Sequence, residues 1–328
     1  MKQGKTVILG AGHVGSHAAY ALAQKGISPE IVLVDTDRDK AVAQALDVDD
    51  SIFGVPHETI IRAGDYDDVR DAALVINCIG EGRKPGQTRT DLLARSVEMC
   101  DALIRSLSPF RIPGIVISVT NPCDVIADYL RKGLRLDRTR CFGTGTFLDT
   151  MRLLRILSRM TGVPRASVEA YCLGEHGDSA MIPFHLLRIG GKELRAYGID
   201  EARLLQETRQ SGMTIIEGKQ STEFGIGEVC AALARCILTD EETVVPVSVL
   251  LEGEYGESGV HCGVPCRIGR DGIMEIRELA LSAQEADALH RSCDVIRGHI
   301  RSAEEVALPL PGRYDTDTSD HSQKQGGI

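Results

Sequence analysis

Two short stretches carry residue types that could move a proton beside a bound anion. The first is Gly174-Glu175-His176-Gly177-Asp178-Ser179. A histidine between two glycines and flanked by acids is poor core material. It suits a loop that brings an imidazole to a ligand. The second, about 25 residues upstream, is Gly145-Thr146-Phe147-Leu148-Asp149-Thr150-Met151-Arg152. On a helix, Asp149 and Arg152 fall within one turn of each other. An acid to orient the imidazole, an arginine to grip a substrate carboxylate and a histidine to transfer the proton make an acid–base site. The bland alternatives are a surface-loop histidine beside an unrelated acid, and an arginine that only decorates a helix face, as Arg155 and Arg159 would.

A second constellation lies at the N-terminus. Thr6-Val7-Ile8-Leu9 reads as a buried strand, followed at once by Gly10-Ala11-Gly12-His13-Val14-Gly15 and a helix to about Lys25. Ile31–Val34 is the next strand and runs into Asp35, which stands 20 residues after Gly15. Strand, glycine loop, helix, strand and acid in this order form a dinucleotide fingerprint. Gly10, Gly12 and Gly15 allow the tight turn and let backbone N–H groups approach a pyrophosphate. His13 and Val14 sit in the same loop. The alternative is that the glycines only make a turn. Asp35 should accept hydrogen bonds from ribose hydroxyls, which favours NAD over NADP.

The elements needed to position these residues are legible in outline. Leu74–Ile79 and Ile115–Val119 read as strands, residues 90–107 as a helix, and a short helix follows Thr120-Asn121-Pro122. This alternation predicts an α/β chain: an N-terminal Rossmann doubly wound parallel sheet followed by an α+β substrate domain. The expected boundaries are 1–143 for the NAD-binding domain, 144–305 for the catalytic domain and 306–328 for a disordered tail. In the second region we expect a helix over 147–161, strands near 168–173 and 244–251, and helices near 200–222 and 282–301.

The chain of 328 residues is 43% hydrophobic with a net charge of −10, enough to bury a sizeable core and without a basic stripe, so no nucleic-acid partner is expected. No run of 18 apolar residues and no signal-peptide core appear, so no membrane partner is expected and the cytoplasm is the expected compartment. The ten cysteines mostly sit in apolar segments, which suits buried thiols under reducing conditions. His261, Cys262 and Cys266 form the only cluster that hints at a metal. They lack a second ligand pair, so no metal site is expected.

Taken with Arg83-Lys84-Pro85-Gly86-Gln87-Thr88-Arg89, Thr120-Asn121-Pro122, Gly143–Arg152, Gly174–Ser179 and the segment from Gly256 to Gly272, these motifs resemble the NAD-dependent lactate/malate dehydrogenases. The resemblance runs from residue 5 to about 303. It implies reversible hydride transfer between NADH and the C2 carbonyl of a 2-oxo acid, with a 2-hydroxy acid as product. His176 would be the proton donor and acceptor, Asp149 its partner, and Arg152 the carboxylate clamp. Arg89 would polarise the carbonyl from a closing lid. Asn121 would contact nicotinamide and substrate, Thr222 would line the pocket, and Ile226 would pack on the nicotinamide. The resemblance also implies a homo-oligomer, a tetramer rather than a dimer.

Most motifs resemble the lactate branch. Arg83 departs from it: the position before Lys-Pro-Gly is usually glutamine in lactate enzymes and arginine in malate enzymes. Arg83 therefore argues for malate and oxaloacetate. Glu81 or Glu223 could instead pair with Arg83 and restore lactate, or a bulkier 2-hydroxy acid, as substrate. Many bacterial lactate enzymes are activated by fructose 1,6-bisphosphate through an arginine and a histidine whose positions are Leu154 and Glu169 here, so activation is not expected. Two other classes compete. An NAD-dependent glycosidase would need a metal site, and a non-catalytic NAD(H) sensor would need no His176–Asp149–Arg152 set.

Overall fold

The structure, a computed structural model, describes residues 4–81 and 89–306. The N-terminal elements alternate as expected: β1 (Thr6–Leu9), α1 (His13–Lys25), β2 (Glu30–Val34), α2 (Arg38–Asp50), β3 (Ile60–Ala63), β4 (Leu74–Asn77), α3 (Arg89–Leu107), β5 (Ile115–Ser118), α4 (Cys123–Leu134) and β6 (Cys141–Gly143). The inner strands β1, β4 and β5 are buried at every position. Continuous apolar runs of this kind belong in a parallel sheet covered on both faces. Beyond them come α5 (Phe147–Thr161), the short strands β7 (Val168–Glu169), β8 (Arg188–Ile189) and β9 (Lys192–Glu193), then α6 (Glu201–Lys219) and α7 (Phe224–Thr239). The chain continues through β10 (Thr243–Glu252), β11 (Ser258–Gly269) and β12 (Gly272–Ile276) to α8 (Ala283–Val306).

One nine-stranded sheet runs β12-β11-β10-β6-β5-β4-β1-β2-β3. The six strands from β3 to β6 pair in parallel, in the order expected of a doubly wound dinucleotide fold. The antiparallel strands β10, β11 and β12 extend this sheet beyond β6, so C-terminal chain completes the N-terminal sheet. A three-stranded sheet, β7-β8-β9, covers a second, smaller core that includes Leu153, Leu157, Ile189 and Leu204.

The departures from expectation have local causes. β4 stops at Asn77 because its buried amide turns the chain: Asn77 Oδ1 accepts from Ile79 N–H at 3.2 Å. The strand expected over 168–173 pairs only at Val168–Glu169. Farther on, Cys172 N–H donates to Thr150 Oγ1 and Leu173 exchanges hydrogen bonds with Met181, so this backbone is satisfied outside the strand ladder. α6 ends at Lys219 with Gln220 in the left-handed region (φ 69°), which places Thr222 in the connection to α7. Several elements were not foreseen, among them α2, β3, β6, β8, β9, β12 and α7. α2 buries only Ala41, Ala45 and Val48, β3 and β12 are edge strands, and α7 is apolar nearly all round. α7 lies close against α1 through Gly227, whose Cβ, if present, would stand 2.9 Å from the His17 carbonyl oxygen. Of the expected tail, only Val306 falls within the described residues, where it ends α8.

Candidate active site

The glycine loop is shaped by sterics. Gly10 has φ 96°, a conformation L side chains rarely adopt, and a Cβ there would meet the Cys78 backbone at 2.9 Å. A Cβ on Gly15 would stand 1.9 Å from the Gly10 carbonyl oxygen. These two glycines let α1 start directly against β1. No side chain caps α1 at Gly12, so the first-turn N–H groups have no partner from the N-cap residue and can meet a phosphate. A Cβ on Gly12 would have only Lys40 Nζ near it, at 4.0 Å, which leaves room over the turn. Asp35 follows β2. Its Oδ2 accepts from Ala11 N–H at 2.7 Å and its Oδ1 from Asp37 N–H at 3.0 Å, with Lys40 Nζ 3.4 Å away. Burial pushes its pKa up, but these donors and the lysine outweigh it and hold the carboxyl below its ordinary value. Asp35 thus stays anionic and braces the loop. The residues present fit a dinucleotide.

His176, Asp149 and Arg152 converge from separate elements. His176 Nδ1 lies 2.6 Å from Asp149 Oδ2, and Asp149 Oδ1 accepts from Arg152 Nη1 at 3.1 Å. Asp149 and Arg152 share the first turns of α5, as their spacing implied. The Asp149 charge raises the His176 pKa, against the opposing effect of burial and of Arg152. For Asp149, burial pushes upward, but His176 and then Arg152 hold it below its ordinary value. The pair therefore favours imidazolium facing carboxylate.

All three residues line a cavity of about 260 Å³, together with Val14, Asn121, Thr222 and Ile226. The cavity joins the first turn of α1, the C-terminal end of β5, the first turn of α7 and the His176 loop, which is where an open α/β sheet binds ligands. His13 is exposed at the start of α1, with its carbonyl accepting from Ser16 and His17. Arg83 lies outside the described residues, and of Arg89 only the backbone, opening α3, is described.

The two acids named as alternatives for pairing with Arg83 each also contact a cation among the described residues. Glu81 accepts from Arg95 Nη2 at 3.1 Å. Glu223 pairs with Lys219 and accepts from Ser221 Oγ. Leu154 packs against the smaller core, and Glu169 is exposed opposite Arg188 across β7 and β8. His261 lies 3.2 Å from Asp128, whereas Cys262 faces Cys293, so the side chains of that cluster diverge.

Several supporting residues escaped the sequence reading. Asn77 Nδ2 donates to Thr120 Oγ1 and Ser118 Oγ, tying together the ends of β4 and β5 beneath Asn121. Gly212 on α6 lies over Arg152: a Cβ there would stand 3.2 Å from Nη1. Glu175, one of the acids beside His176, turns inward. Its Oε2 accepts from Ser179, and its N–H donates to Ser292 Oγ on α8. The His176 N–H donates to Asp124 Oδ2 at 2.9 Å. The available signal for Asn77 and Asp124 was a polar side chain inside an otherwise apolar run.

Comparison with known proteins agrees with this geometry. Residues 4–143 match the lactate/malate dehydrogenase NAD-binding domain, and residues 146–307 match the α/β C-terminal domain of the same family. The chain is 37% identical over 298 residues to an L-lactate dehydrogenase of Halalkalibacterium halodurans, covering 90% of this chain and 96% of that one. It is 36% identical over 308 residues to L-lactate dehydrogenase 1 of Bifidobacterium longum, covering 91% and 98%. Among solved structures, a lactate dehydrogenase from a Medee basin deep-sea metagenome library superposes with TM-score 0.88 at 32% identity, covering 93% of this chain and all of that one. The minor L-lactate dehydrogenase of Enterococcus mundtii does so with TM-score 0.88 at 32% identity, covering 92% and 99%. With both halves matched and His176 paired with Asp149 beside a dinucleotide cradle, the chain belongs to the lactate/malate dehydrogenase family and is an NAD-dependent oxidoreductase acting on a CH–OH group.

Proposed function

We propose that this enzyme interconverts a small 2-oxo acid and the L-2-hydroxy acid, with pyruvate and L-lactate as the favoured pair. The observation that carries the chemistry is the continuous contact His176–Asp149–Arg152 on the wall of one cavity. Bound NADH supplies the hydride to C2. Arg152 holds the substrate carboxylate through its free N–H groups, while its bond to Asp149 fixes the guanidinium. Asp149 occupies His176 Nδ1, which leaves Nε2 to protonate the carbonyl oxygen as it becomes an alkoxide. Arg89 polarises that carbonyl. Asn121 orients the carbonyl and the cofactor amide, while Val14 and Ile226 offer apolar surface to the nicotinamide. Thr222 closes the pocket. We assign residues 1–143 to cofactor binding and 144–305 to the substrate side.

The preference for pyruvate rests on the names of the relatives. A second reading, oxaloacetate and malate, rests on the residue type at Arg83. An arginine desolvated in the occupied site without an anion would penalise pyruvate by about 1–3 kcal/mol. The deciding measurement is kcat/KM for pyruvate, oxaloacetate and 2-oxoisocaproate in wild type and in Arg83→Gln. We expect pyruvate to lead in wild type with a ranking unchanged by Arg83→Gln. Oxaloacetate leading in wild type, and losing that lead in Arg83→Gln, would transfer the assignment to malate.

We further propose a homo-oligomer, a tetramer rather than a dimer, in the cytoplasm. Val42, Leu46 and Phe53 expose apolar surface along α2 and just beyond it, Phe53 to 97%. All ten cysteines are free thiols, which suits a reducing compartment. No helix among the described residues is long and apolar enough to cross a membrane. Light scattering on the purified chain should give four times the monomer mass; a monomer mass at micromolar concentration would contradict the proposal.

A further inference from the structure

Asp124 is a buried acid that the chemistry above leaves unused. It lies in the first turn of α4, three residues after Asn121, and is 3% exposed. It does not cap its own helix. Its Oδ2 accepts the backbone N–H of His176 at 2.9 Å, so one side chain joins the Asn121 segment to the acid–base residue. The anchors just before His176 are backbone and hydroxyl contacts. Gly174 exchanges hydrogen bonds with Gly263 on β11, and Glu175 N–H reaches Ser292 on α8. Only Asp124 holds the histidine's own peptide among the described contacts.

The other carboxylate oxygen, Oδ1, is buried without a hydrogen-bond partner, and so is the nearby Ser248 Oγ on β10. Ser248 is close enough to favour the anion but does not meet hydrogen-bond geometry. Titratable neighbours are His176 and Glu175 on the loop, Cys123 on α4 and Cys262 on β11. Burial, helped by Glu175, pushes the Asp124 pKa up to about 6, against Ser248 and the His176 N–H. A half-satisfied buried carboxylate is costly where an apolar residue of similar size would fit. Its charge in turn helps to raise the His176 pKa, after the larger effect of Asp149.

We propose that Asp124 is a positioning residue: by accepting the His176 peptide N–H it fixes the imidazole over Asp149 and relative to Asn121, and its charge supports the imidazolium. This inference rests on the reading of His176 as the proton donor. Three variants separate the two claims. In Asp124→Ala the acceptor is lost, and kcat for 2-oxo acid reduction should fall about 100-fold, the scale of a misplaced catalytic group, with NADH affinity unchanged. In Asp124→Asn an amide oxygen still accepts the N–H while its NH2 can serve Ser248. This variant should recover kcat to within a few-fold of wild type, with the alkaline loss of activity moved to lower pH. His176→Asn runs in parallel.

Loss in Asp124→Ala with recovery in Asp124→Asn supports the inference. A folded Asp124→Ala with wild-type kcat and pH profile overturns it. If Asp124→Ala does not fold, Asp124→Asn decides alone: a displaced alkaline limb supports the role, and an unmoved limb overturns it. Full activity in His176→Asn would instead remove the reading beneath it. An inactive His176→Asn beside unaffected Asp124 variants would remove only this inference.

Discussion

The dinucleotide cradle and the proposed acid–base site are built in opposite ways. The cradle is nearly contiguous: β1, the glycine turn, α1, β2 and Asp35 lie within residues 6–35. Its shape follows from the missing Cβ atoms of Gly10 and Gly15 and from two backbone N–H groups donated to Asp35. The acid–base site is dispersed. His176 is held by Asp124 from α4, Asp149 from α5, and, through its neighbours, by β11 and α8. A local site can specify itself through backbone sterics. A dispersed one depends on side chains far away in sequence, so single substitutions should act on different quantities in the two regions.

The largest contrast should come from Asp149→Asn. The carboxylate orients His176 and raises its pKa, and an amide does the second far less well. Turnover in 2-oxo acid reduction should fall by roughly 10²- to 10⁴-fold, while NADH binding, followed by cofactor fluorescence, stays near wild type. The sign of the pH effect follows from the raised pKa. In wild type the imidazolium survives to higher pH, so the alkaline fall in reduction lies above the ordinary histidine pKa near 6.5. In Asp149→Asn that fall should move to lower pH. An unmoved limb would show that Asp149 does not set the charge on His176.

A smaller effect, of a different kind, is expected from Gly15→Ala in the cradle. The new methyl would meet the Gly10 carbonyl oxygen, and relief requires moving α1 away from β1. Overpacking of this sort costs about 1–3 kcal/mol. The expected outcome is a lower melting temperature and weaker NADH binding, with kcat at saturating NADH close to wild type. A fall in kcat at saturation, with affinity intact, would erase the distinction between the two regions.

What could be read in advance divides along the same line. The cradle was legible because each residue's role depends on neighbours in sequence. His176, Asp149 and Arg152 were legible as chemistry because glycine flanks and helical spacing are unusual outside a site. Their supports were not. Glu175 looked like part of the reactive loop, yet it bends inward to Ser179, an orientation decided by α8. Asp124 and Asn77 sit in runs that read as plain helix and strand. α2 has apolar residues on both its buried and its exposed sides, Ala41 and Ala45 against Val42 and Leu46, and α7 is apolar nearly all round, so neither shows the periodicity of a half-buried helix. The pairing of β10 with β6, which carries C-terminal chain into the first sheet, is a long-range contact with no local signature.

Proton transfer at His176, held by Asp149, is the step we propose for this cavity. The most direct test is single-turnover oxidation of pre-bound NADH by pyruvate and by oxaloacetate in His176→Asn, beside wild type. NADH affinity should match wild type, and the rate constant should be lower by roughly 10²- to 10⁴-fold with either acid. A wild-type rate constant with either acid would contradict the proposal.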